Sequence, residues 1–225
     1  MSEHVHVHAP HELTEQHDGP KLRHERTFEL MATLLLALAT VGIAWSGYQG
    51  ARWNGRQARE YAQANTARNL ANRAATTGGQ QRTQDLLNFN RWLEVTTTND
   101  QTLAQLYERR FRPEFLPAFE AWLAQDPLNN PAAEASPLRV PQYHVAELEK
   151  ADRLEQTGTE HFERGKEATE NTDSYVLTTV FFATVLFFAG ISLRFVWSPM
   201  RIAVLVLGAI SLGWAVVLFA SLPTL

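Results

Sequence analysis

The chain has 225 residues, no cysteine, and 20 lysines and arginines against 24 aspartates and glutamates. Without cysteine there are no disulfides, thiolate metal sites or thiol nucleophiles, and either redox compartment is permitted. The near-balance of charge gives no electrostatic footprint for nucleic acid. Phosphate-loop, zinc-protease and serine-hydrolase signatures are all missing from the sequence, so it reads as non-enzymatic.

Residues 1–25 form a polar tail with Pro10, Gly19 and Pro20 and no apolar period, which predicts disorder. His4, His6 and His8 alternate within it. In an extended strand such residues project from one face, so three imidazoles can converge on zinc or nickel. A solvated tail with no cofactor is the other reading, and a site without a folded scaffold binds weakly.

Residues 26–50 give the first membrane helix. Leu30 to Ala51 carries no charge, long enough to cross a hydrocarbon core of about 30 Å at 1.5 Å per residue. Trp45, Tyr48 and Trp53 stand where aromatic rings prefer the interface. Gly42, Ser46 and Gly50 fall four apart, making a smooth face for close helix packing within or between copies. The tail His4 to Asp18, HVHVHAPHELTEQHD, followed by this apolar helix and a Gln-, Asn- and Ala-rich helix, resembles an uncharacterised domain-of-unknown-function family of small bacterial membrane proteins. The resemblance runs to about Ala75 and implies a bacterial membrane protein of this plan, with no activity or site to carry over.

Residues 51–173 are expected to form an extramembrane helical domain. The first helix should continue as a stalk to Gly78 and Gly79, with Ala64, Ala67, Ala71, Ala74 and Gly78 as a small-residue seam. Leu86, Leu87, Phe89, Trp92 and Leu93 then give an apolar face, Asn99 or Asp100 can cap a helix carrying Leu103, Leu106, Tyr107 and Phe111, and Pro113 stops it. A short helix with Phe115, Phe119, Trp122 and Leu123 inward completes the candidate core, provided Pro117 sits in its first turn. Asp126 to Pro141, with four prolines, reads as a surface connection. From Gln142 one long helix is expected, with a seam of Leu148, Ala151, Glu155, Gly158, Phe162, Gly165, Thr169 and Thr172.

Two charged stripes flank the membrane: Arg52, Arg56 and Arg59 after the first span, Glu163, Glu167 and Glu170 before the second. If the helices are antiparallel, the stripes meet at one height, pairing Arg52 or Arg56 with Glu170 or Glu167, and Arg59 with Glu163. Residues 174–194 and 202–223 form the second and third membrane helices, joined by a link at 195–201, with Ala209 and Gly213 as another small-residue pair. The fold class is therefore an all-α membrane protein: three transmembrane helices with an extramembrane helical bundle between the first and second. Lys21, Arg23, Arg26, Arg194 and Arg201 place the tail and link in the cytoplasm and the domain outside the inner membrane. The partners implied are the lipid bilayer and a second copy of the chain or another membrane protein. The function expected is a self-associating anchored scaffold; the alternatives are a sensory or accessory module, or a metal- or ion-handling channel subunit.

Overall fold

The computed structural model describes residues 23–98 and 100–225, and the His4, His6 and His8 tail lies outside them. The described residues are helical and contain no strand: α1 Arg23–Thr97, α2 Gln101–Glu108, α3 Leu116–Leu123, α4 Ala146–Ser192 and α5 Ser198–Ser221, with a 3₁₀ turn at Pro137–Arg139. Three of the helices, α1, α4 and α5, are long and apolar enough to cross a membrane. The described residues divide into two compact units, 23–54 with 169–225, and those within 55–168.

The first unit has an inverted distribution of size. Ala32, Leu35 and Ala39 of α1, Phe182, Val185 and Ala189 of α4, and Leu205 and Ala215 of α5 make its core. Larger side chains face outward: Val41 is 68 % exposed, Phe187 62 % and Val217 65 %. Water would penalise such a surface heavily, whereas lipid tails solvate it as well as a protein interior does, leaving small residues to bring backbones together. A Cβ on Gly42 would come within 2.5 Å of the Phe182 ring, and one on Gly50 within 3.5 Å of the Tyr175 Cβ. The partner residue falls as the α1 residue rises, so α1 and α4 are antiparallel here. Pro199 lies in the first turn of α5, which begins at Ser198 inside the expected link, because proline lacks only an amide that the first turn leaves unbonded anyway.

The second unit pairs the remainder of α1 with the amino-terminal part of α4. Tyr61 meets Gly165, Ala64 and Arg68 meet Gly158, and Gly78 meets Leu148, again antiparallel. Helix α1 passes through Gly78 and Gly79 without a break, contrary to the expectation that they end it. The reason is packing: a Cβ on Gly78 would sit 2.7 Å from the Leu148 side chain and 3.0 Å from its backbone nitrogen. Gly78→Ala is therefore expected to destabilise this unit by about 1–3 kcal/mol, even though alanine is the better helix former by about 1 kcal/mol. Denaturant unfolding compared with Gly79→Ala checks this, since nothing lies within 4 Å of a Cβ at Gly79.

On α4 the buried seam is Ala151, Gly158, Gly165 and Ala168, with Leu154 and His161 half-buried between them, while Glu155 and Phe162 face out. The expected seam was one residue off at those two steps and again at Thr169, where Ala168 is the buried residue. Both lists obey three-and-four spacing, and the side chain opposite decides between them.

The far end of this unit holds its apolar core. Phe89 and Trp92 of α1, Ala104, Phe111 and Phe115, Ala118, Phe119 and Trp122 of α3, and Val140 pack together. Asp100 caps α2, its carboxylate accepting from the Leu103 amide at 3.1 Å. Helix α3 begins at Leu116 with Pro117 in its first turn, as the spacing required. Leu86, Leu87, Leu103, Leu106 and Leu123, counted above among core candidates, are instead at least a third exposed.

Candidate functional site

In the second unit, one ionised group lies deep among the aromatics. Asp85 is 1 % exposed, one turn before Phe89 on α1. The Arg112 side chain, from the turn between α2 and α3, donates Nε to Oδ1 at 2.9 Å and Nη2 to Oδ2 at 2.8 Å. The Tyr143 hydroxyl donates to Oδ2 at 3.1 Å. Both carboxylate oxygens thus accept from planar or phenolic donors in the geometry that makes charge-assisted bonds strong. The bond to Asp85 raises the Arg112 pKa, and burial followed by the Asp85 charge pushes the Tyr143 phenol up to about 12. These directions describe a locked arrangement: the cation and carboxylate satisfy each other, and the phenol keeps its proton.

Two indoles extend the brace. Trp92 Nε1 donates to Glu108 Oε1 at 2.8 Å, tying α1 to α2. Trp122 Nε1 donates to the Glu134 carbonyl at 2.6 Å, and the Glu134 amide donates to Gln125 Oε1 at 2.9 Å, so the proline-rich connection is fastened at its middle. Asp126 opens that connection with φ of 50°, in the left-handed region that aspartate tolerates better than most residues, and its carboxylate accepts from Asn129 Nδ2 at 3.0 Å.

Along the stalk of this unit, α1 and α4 are joined by Glu60 and His161, Oε2 to Nδ1 at 2.8 Å, with side chains 15 % and 22 % exposed. The imidazole bond, reinforced by the charges of His161, Arg164 and Arg56, holds the Glu60 pKa below the usual carboxylate value against the opposing effect of desolvation. Arg68 lies over the Phe162 ring at 5.0 Å, and the Tyr61 and Phe162 rings stand 5.6 Å apart.

The charged stripes are placed differently from this pair. Arg52 donates along its own helix to the Tyr48 hydroxyl at 3.3 Å, Arg56 is half-buried, and Arg59 is exposed. Glu163, Glu167 and Glu170 are all exposed. Glu60 and His161 lie on seam positions of α1 and α4 that face each other, a pairing to which the charged stripes of the sequence do not point. Among the described residues no three His, Asp or Glu side chains gather as a metal site.

In the first unit, Gly42, Ser46 and Gly50 share the face turned toward α4, and Ser46 is fully buried with no hydrogen-bond partner for its hydroxyl among the described residues. Ala209 and Gly213 are exposed, and nothing lies within 4 Å of a Cβ at Gly213; the close approach in α5 is at Gly208, beside Phe188 and Leu35. Four buried polar side chains, Ser46, Gln49, Tyr175 and Thr178, cluster at one end of this unit. Trp53 Nε1 and the Tyr175 hydroxyl both donate to the Pro223 carbonyl, at 2.9 and 3.2 Å, and the Leu225 amide donates to Gln49 Oε1 at 3.1 Å. The segment after α5 is thereby clasped to α1 and α4, which satisfies groups that lipid cannot.

What these arrangements do chemically is fix geometry: ionised and polar groups are spent on one another, and the exposed residues between them are open to other molecules. No family model matches the chain, and neither does any curated protein or solved structure.

Proposed function

We propose that this is an integral protein of a bacterial inner membrane, with the amino-terminal tail and the link between the second and third spans in the cytoplasm. Residues 51–173 form a helical domain outside the bilayer, inserted between the first and second spans. Its work is to anchor and assemble: it is a membrane-held interaction or scaffold protein that associates with further copies of itself. The observation that carries this reading is the outer surface of α1 in the second unit, where Leu70 is 44 % and Leu87 59 % exposed among threonines, glutamines and asparagines. Each of these leucines lines a shallow groove, and an apolar side chain in a groove of a helix already partnered along its seam favours a second contact.

The same helix carries a shallow groove lined by Thr76, Gly79, Gln80, Thr83, Gln84, Leu87 and Asn88. Uncharged side chains that both donate and accept hydrogen bonds suit a like surface as well as an unlike one. Light scattering on the full chain after size exclusion in mild detergent tests the proposal. A protein mass of two or more chains is expected; a mass of one chain across the accessible concentration range would overturn it.

A further inference from the structure

We infer that the end of the first unit carrying the link between α4 and α5 binds the headgroup of an anionic phospholipid, with Arg201 holding its phosphate and Arg194 adding to the positive field. This rests on the reading of the first unit as embedded in a bilayer and names a ligand for one end of it.

The first observation is a cation without an anion. Arg201 lies in the first turns of α5, is half-buried, and places its guanidinium carbon 5.3 Å from the centre of the Phe28 ring of α1. Its Nε is buried and has no hydrogen-bond partner among the described residues. An aromatic face steadies a guanidinium but accepts none of its five N–H donors in the plane. Buried charges are otherwise found paired, so this one calls for an acceptor from outside the chain. A phosphate suits it, because two of its oxygens match the planar fork of the guanidinium.

The second observation is level. A Cβ on Gly208 of α5 would lie 3.4 Å from Phe188 and 3.9 Å from Ala189 of α4, and 3.7 Å from the Leu35 side chain of α1, so these residues share one height within the unit. Phe28 is seven residues outward from Leu35, and Arg201 seven outward from Gly208, about 10 Å along each helix. Arg194 is five residues beyond Ala189, in the turn that follows the end of α4, its amide donating to the Ile191 carbonyl at 3.0 Å. On α1 the same level is the edge of the uncharged run that starts at Leu30. Both arginines therefore stand where hydrocarbon gives way to headgroups, the layer in which phosphate is abundant.

The third is what surrounds them. Arg194 is exposed, and Val196 and Trp197 of the link beside it are exposed as well, as suits a segment lying in the interface. Just inside this level, Leu30 and Leu34 of α1 and Ile202 and Val206 of α5 face outward and offer surface to acyl chains. In sequence this end has three basic residues between positions 21 and 26, then Arg194 and Arg201, against Glu25 and Glu29. Glu29 is half-buried and engaged within the chain, and Glu25 is exposed. The excess is positive, which favours a headgroup with net negative charge over a zwitterionic one that brings its own cation.

Arg201→Gln tests the site. The full chain is reconstituted into vesicles of equal parts phosphatidylcholine and phosphatidylglycerol and extracted in mild detergent, and the phospholipid that stays with it is identified. Delipidated protein is then titrated with phosphatidylglycerol and followed by thermal unfolding. The parent should retain phosphatidylglycerol in excess over phosphatidylcholine, and so should Arg52→Gln, whose arginine bonds Tyr48 at the other end of this unit. Arg201→Gln should bind phosphatidylglycerol roughly fivefold more weakly or worse, with a smaller loss in Arg194→Gln. If circular dichroism shows that Arg201→Gln has lost its helices, the parent's own lipid preference and Arg194→Gln, an exposed change, still decide. Retained lipid that matches the vesicle composition overturns the site, and so does equal binding by the parent and both variants. Inorganic phosphate that stabilises the parent as much as phosphatidylglycerol does overturns the lipid as its ligand. Release of the parent from vesicles by alkaline carbonate overturns the membrane reading itself, whereas a chain that resists carbonate without lipid preference overturns only the site.

Discussion

Replacing Arg112 by alanine is expected to destabilise the second unit by about 3–5 kcal/mol, because it strands a carboxylate that is 1 % exposed. Only the Tyr143 hydroxyl, 3.1 Å from Oδ2, would remain to solvate Asp85. The figure is the consequence of leaving a buried charge unpaired and not a measure of what the pair contributes over an apolar equivalent. The double replacement Asp85→Leu with Arg112→Leu should therefore recover most of the loss. Arg112→Lys should not, since an ammonium cannot donate Nε and Nη2 in parallel to the two carboxylate oxygens as the guanidinium does, at 2.9 and 2.8 Å. Denaturant unfolding in detergent, followed by near-ultraviolet circular dichroism of the aromatic core, checks all three. A single Arg112→Ala variant as stable as the parent would mean that water reaches Asp85.

That network was invisible in the sequence for a definite reason. Asp85 sits among Gln81, Arg82, Thr83 and Gln84, where a single acid reads as one more solvated residue. Its partners are 27 and 58 residues away, beyond any helical period. The apolar helices, by contrast, were legible because each is a long uncharged run, and the lipid environment that explains them is uniform along their length. The aromatic core was half legible. Phe89, Trp92, Phe115, Phe119 and Trp122 were named correctly, but the leucines flanking them were placed inside on apolarity alone, although Leu87 is 59 % exposed. Whether an amphipathic helix buries one flank or two depends on how many neighbours it has, and a single helix does not record that.

The seam of α4 shows the same limit at finer grain. Small residues at Ala151, Gly158 and Gly165 fixed the face, but the larger steps between them, Glu155 or Leu154 and Phe162 or His161, differ by one position, about 100° around the helix. Tyr61 and Glu60 on α1 resolve the choice: the ring fills the hollow over Gly165, and the carboxylate reaches the imidazole. Gly78 follows the same logic. Read alone it ends a helix, and read against Leu148 it permits one to pass.

Trp122→Ala is expected to have a comparably large effect, about 3–5 kcal/mol, by emptying the centre of the aromatic core. The indole is 3 % exposed, stands edge-on to Phe89 at 5.0 Å and to Trp92 at 6.2 Å, and lies nearly parallel to Phe119 at 6.3 Å. No neighbour is free to fill the space, since Phe119 is itself held against Trp92 and Phe111 at 4.8 and 4.9 Å. Trp122→Phe separates the two duties of this side chain. It keeps most of the ring contacts and deletes the donor to the Glu134 carbonyl, a loss of about 1–3 kcal/mol if that carbonyl stays buried, less if it turns to water. The carbonyl belongs to an exposed residue in the connection between α3 and α4, so the smaller loss is expected, accompanied by release of that connection. Limited proteolysis between Asp126 and Pro141 should then be faster in Trp122→Phe than in the parent while the helical signal is unchanged. Equal cleavage rates would mean that Gln125, through its bonds to Glu134 and Asn130, holds the connection without the indole.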